Sequence, residues 1–111
     1  MTLFHLVPAA HWLPAEGRRV YEPASLASEG FVHLSTGDQV AGTAARSFPG
    51  VPDLLLLEVE IPQDDPRLRW EPSAGPRGVE EFPHYHGALP LAYVTGWSRW
   101  RSGAEPLGPE S

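Results

Sequence analysis

The chain has 111 residues, 41% of them apolar, a net charge of −6 and no cysteine. That length suits one domain with one core, and the missing cysteines exclude disulfides, thiolate zinc sites and a cysteine nucleophile. All eight basic residues are Arg against 14 acidic residues, a balance that repels polyphosphate backbones and argues against broad nucleic-acid binding. The N-terminus has no basic or long apolar region of a signal peptide. The run Leu54 to Leu57 is strand-sized and far short of the roughly 20 residues of a membrane span. A soluble, cytoplasmic protein with no membrane partner is expected.

In chain order, Thr2 to Val7 reads as a short apolar strand stopped by Pro8. Pro8 and Gly17 suit the start and stop of a helix, which Pro14 limits to about two turns. Arg18 to Pro23 is extended, and Ser25 to Gly30 is a turn or a single helical turn. The strand "FVHLS" follows. Thr36 with Gln39 fits a capping box, and Val40, Ala44 and Phe48 give the next helix a thin apolar stripe. Pro49-Gly50 ends it. Asp53 to Ile61 is the best candidate for a central strand, apolar on both faces at first. Arg67 to Pro72 is another strand. Ser73 to Glu81 lacks apolar rhythm and reads as a mobile loop, and "FPHYHGALP" reads as irregular. Leu91 to Trp100 closes the domain as a strand with Gly96 as a bulge. The sum is an α+β class: a small, mostly antiparallel sheet of about six strands with two short helices. Residues 1–101 form one domain, and residues 102–111 form a polar tail that need not be ordered.

Side chains alternate along a strand, so Phe31, His33 and Ser35 share one face. His33 and Ser35 then lie about 7 Å apart. His33 is either a core histidine bonded to a backbone carbonyl, with Ser35 serving the helix cap, or one wall of a site. His5 lies mid-strand, opposite Phe4 and Leu6. His84 and His86 form a His-x-His pair. Such a pair can bind zinc if His5, His33 or Glu81 supplies a third ligand, but nothing in the sequence fixes that ligand, and no metal is expected. Gly-rich phosphate loops, H-E-x-x-H and a nucleophile elbow are all missing from the sequence. Asp64 and Asp65 look solvated and offer no glycosidase pair.

The segments "LFHLV", "YEPASLASEGFVHLSTGDQV", "LLLLEVE" and "FPHYHGALPLAYV" together resemble the bacterial domain-of-unknown-function family 952. The resemblance runs to about Val94. It implies a small ADP-ribosyltransferase-like fold, a split sheet that grips NAD or a related nucleotide in a cleft, with no further cofactor required. It places His5 toward the adenosine ribose and His33, Ser35 and Thr36 on the nicotinamide side. Glu81 to His86, including His84, Tyr85 and His86, falls at the third site element, so the catalytic candidates are His5, His33 and Glu81. Here His86 replaces the usual Tyr and Tyr85 an aliphatic residue, and Glu81 is the nearest carboxylate for a ribose hydroxyl. Arg18, Arg19, Arg67 or Arg69 would neutralise a pyrophosphate. The implied partner is a small molecule. The alternatives are a non-catalytic binding module on the same fold and a His-x-His metal enzyme.

Overall fold

The computed structural model describes residues 1–12, 18–75 and 78–100. In chain order the elements are β1 (Thr2–Pro8), α1 (Ala9–Trp12), β2 (Val20–Tyr21), α2 (Ala24–Glu29), β3 (Val32–His33) and α3 (Val40–Ser47). They continue as β4 (Leu54–Glu60), β5 (Leu68–Gly75), β6 (Gly78–Tyr85), β7 (Leu89–Pro90) and β8 (Val94–Arg99), with a 3-10 turn at Leu91–Tyr93. All strand pairs are antiparallel, in sheets of order β1-β4-β8, β2-β7 and β3-β6-β5. The α+β class therefore holds, with eight strands and three helices among the described residues rather than about six and two.

The difference lies mainly in one hairpin. Residues expected to be loop and irregular chain form the end of β5 and all of β6, in register from Leu68↔Tyr85 to Gly75↔Gly78. Glu80 and Glu81 break the apolar rhythm, yet backbone pairing does not depend on that rhythm. Gly78, at φ 101°, takes the left-handed conformation at the start of β6. The third helix is α2, which Gly30 ends at φ 90°, its N–H donating to the Leu26 and Ser25 carbonyls. Pro14 and Gly17, expected to shape the first helix, and the tail 102–111 lie outside the described residues.

β4 is central, as its sequence suggests. Leu55, Leu57 and Val59 face one core cluster with Leu3, Val7, Trp12, Tyr21, Val32 and Tyr85. Leu54 and Leu56 face a second cluster, where Val40 and Ala44 of α3 cover Phe4 and Leu6. The register slips between Glu58 and Val59, whose partners are Gly96 and Val94. The bulge thus falls at Thr95, beside the expected glycine. Trp12 is 4% exposed, whereas Trp97 is 53% exposed.

The feature that places the site is a seam between two sheets. Val32 and His33 pair with Tyr85 and His84 of β6. Two residues later the same segment joins β1: Phe4 N–H donates to Ser35 O and Ser35 N–H to Phe4 O, both at 2.8 Å. The strand crosses from one sheet to the other within four residues.

Candidate functional site

At the seam lies a cleft of about 740 Å³, within the size range of small-molecule pockets. His5, Tyr21, His33, Ser35, Phe82 and His84 contribute to its walls, and Arg18 and Arg46 also line it. β1 and β2 bring the first two side chains, the β3 segment the next two, and β6 the last two. Four of the eight candidate residues thus converge: His5, His33, Ser35 and His84. Thr36, Glu81, Tyr85 and His86 do not line the cleft.

Each placement has a local cause. His5 is 7% exposed. Its Nδ1 lies 2.6 Å from the His33 carbonyl, across the seam. A carbonyl only accepts, so Nδ1 carries the proton and Nε2 accepts from the Tyr21 hydroxyl at 2.9 Å. Both ring nitrogens are therefore engaged. Burial pulls the imidazole from 6.5 down to about 4, only partly offset by the His33 backbone bond, so it is neutral at pH 7. Burial also pushes the Tyr21 hydroxyl above its ordinary range.

His33 is no core histidine. Its side chain is 48% exposed and pairs with Glu29 at 3.0 Å. The buried histidines are His5 and His84. Ser35 is buried, and its hydroxyl lies 3.2 Å from that of Thr43 on α3. The Thr36 backbone N–H donates to Gln39 Oε1 at 3.1 Å, half of the expected capping box. Gln39 Nε2 reaches the Glu81 carbonyl at 2.7 Å, tying α3 to the hairpin.

Alternation along β6 separates the late candidates. Phe82 and His84 face the cleft, and Tyr85 faces the core. The Tyr85 hydroxyl donates to Asp65 Oδ2 at 2.9 Å, as does that of Tyr93. Asp65 is therefore a structural acceptor rather than a solvated turn residue. Burial works against its charge, but hydrogen bonds from Arg67 N–H, Tyr85 and Tyr93 hold its carboxyl below the usual range. Glu81 is exposed. His84 Nδ1 and His86 Nε2 each lie 2.8 Å from Glu71 Oε1. Those bonds, His86 first, hold Glu71 below its ordinary value. Phe31 stacks on His84 with centroids 4.0 Å apart.

Sequence reasoning missed Tyr21 and Glu71. Tyr21 sits in the quoted "YEPASL" stretch, where an aromatic on a short extended segment was its only signal. Glu71 becomes visible only once the β5–β6 register is known.

A family model described as "Protein of unknown function (DUF952)" matches residues 6–97. The chain belongs to this family. The crystal structure of CC0527 from Caulobacter crescentus is similar to this DUF952 chain, at 32% identity and a TM-score of 0.79. The match covers 96% of this chain and 91% of that one. The solution NMR structure of CC0527 matches at 33% identity and a TM-score of 0.72, covering 88% and 83%. No curated protein matches. Among the described residues of this DUF952 member, no helix is long and apolar enough to cross a membrane.

Proposed function

We propose that the cleft binds NAD or a related nucleotide on an ADP-ribosyltransferase-like scaffold. The observation that carries the reading is the meeting of hydroxyls, imidazoles and two guanidinium groups in one cleft at the seam. Tyr21, Ser35 and His33 supply hydrogen bonds suited to ribose hydroxyls. Arg18 and Arg46, exposed and lining the cleft, suit a pyrophosphate. Of the four arginines expected for that task, only Arg18 lines the cleft.

Turnover at this site would be ADP-ribosyl transfer, NAD hydrolysis or a related phosphoester transfer. Breaking a glycosidic C–N bond passes through an oxocarbenium-like state, which needs positioning and hydrogen bonds more than a protein nucleophile. With Glu81 exposed and outside the cleft lining, that chemistry would rest on His33 and the hydroxyls. The test is a calorimetric titration of untagged protein with NAD, with the histidine ring signals followed by NMR. Saturable heat with a shift at His33 is expected. No heat at millimolar NAD would reject the nucleotide reading.

A second reading, a binding module without catalysis, is favoured by a specific feature. Both His5 nitrogens are already bonded, and Glu81 does not line the cleft, so two of the three catalytic candidates have no free group aimed at a ligand. Nicotinamide release from bound NAD, followed by chromatography, separates the two: release supports the transferase, and binding without release supports the module.

A further inference from the structure

We propose that Glu71, His84 and His86 form a binding site for a divalent transition-metal ion, with zinc as the best fit to the donor set. Glu71 lies on β5, His84 on β6 and His86 directly after β6, and together they offer two imidazole nitrogens and one carboxylate oxygen. These donor atoms all lie within 4.8 Å of one another, and this is the only such group of three among the described residues. Two imidazoles and a glutamate are a donor set that zinc accepts with a fourth position open.

The three donor atoms lie near the spacing an ion needs, with adjustments in both directions. Zinc holds such ligands at about 2.0–2.2 Å, which in a tetrahedron sets neighbouring donors roughly 3.3 Å apart. Glu71 Oε1 now lies 2.8 Å from both His84 Nδ1 and His86 Nε2. An ion among them would part Glu71 Oε1 from each nitrogen by about 0.5 Å and would draw the two ring nitrogens, which lie within 4.8 Å of each other, toward the same spacing.

The surroundings hold the rings in place. Phe31 stacks on the His84 ring at an interplanar angle of 19° and lies tilted against His86 with centroids 5.3 Å apart. The His86 backbone N–H donates to the Arg67 carbonyl at 2.7 Å. His84 is buried, at 5% exposure, and its register partners Arg69 and His33 fix it from both neighbouring strands. Imidazoles fixed in this way lose little freedom on binding an ion. His84 also lines the cleft, so a bound ion would border whatever the cleft holds.

The test is a calorimetric titration of untagged protein with zinc alone, repeated with cobalt and followed by its visible d–d bands. One ion per chain is expected, with tetrahedral-type cobalt bands. Glu71→Gln and His86→Asn should each weaken zinc binding by tenfold or more. Both replaced side chains are only half-buried, and far-UV circular dichroism confirms that each variant is folded. Lack of binding by the parent chain, or affinity unchanged in both folded variants, overturns the site. The titration contains no nucleotide, so its outcome is independent of the fate of the nucleotide reading.

Discussion

The His5 imidazole gives the sharpest test of the site's electrostatics. Burial lowers it from 6.5 to about 4, whereas in the unfolded chain it should titrate near 6.5. Between those values the unfolded state takes up a proton that the folded state refuses. His5's contribution to stability is therefore fully present above pH 6.5 and is lost as pH falls toward 4. The slope approaches 1.36 kcal/mol per pH unit, and the whole window amounts to roughly 3 kcal/mol. Urea denaturation at several pH values would measure it. Carboxylates titrate at the acid end as well, so the informative quantity is the difference between the parent and His5→Asn, whose amide can still donate to the His33 carbonyl. The parent should lose stability faster than the variant between about pH 6.5 and 4.5. In parallel, the His5 ring signals should stay at their neutral position down to about pH 5. Parallel stability curves, or a His5 ring that titrates at 6.5, would refute the reasoning.

Two further outcomes follow from the geometry. His33→Ala removes a half-exposed side chain and one surface pair with Glu29, so urea denaturation should show a loss below about 1 kcal/mol, while NAD heat falls sharply. A large stability loss would return His33 to the core. Asp65→Ala leaves the Tyr85 and Tyr93 hydroxyls without their shared acceptor, and should cost about 1–3 kcal/mol by the same assay. An unchanged midpoint would show that water replaces the carboxylate.

Much of the scaffold was legible because its signals are local. The run Leu54 to Leu57 demanded a strand buried on both faces, and β4 is that strand. Val40 and Ala44 marked the buried stripe of α3, and Gly96 marked the bulge to within one residue. What escaped depends on pairing. No side-chain pattern marks β6 as a strand, because half of it is polar and its partner is the equally polar end of β5. The site divides in the same way. Face alternation correctly grouped His33 with Ser35, because each lies on one short run. It could not show that Tyr21 would meet His5, or that Glu71 rather than His5, His33 or Glu81 would meet the His-x-His pair. The choice left open for His33, core residue or site wall, was settled only by the fold, because a single strand does not reveal which of its faces another sheet will cover.

The crossing of residues 32–35 between sheets bears on how the cleft can work. Its two walls share one continuous piece of backbone at the floor, fastened by the Phe4–Ser35 bonds and by the His5 ring. Prising them apart would break all three bonds at once in a buried place. A jaw-like closure around a ligand would therefore be a costly motion for this protein. If the cleft holds a ligand as proposed, selection would rest on shape and on the exposed Arg18 and Arg46 of its lining, and discrimination between similar ligands would fall to fit rather than to movement.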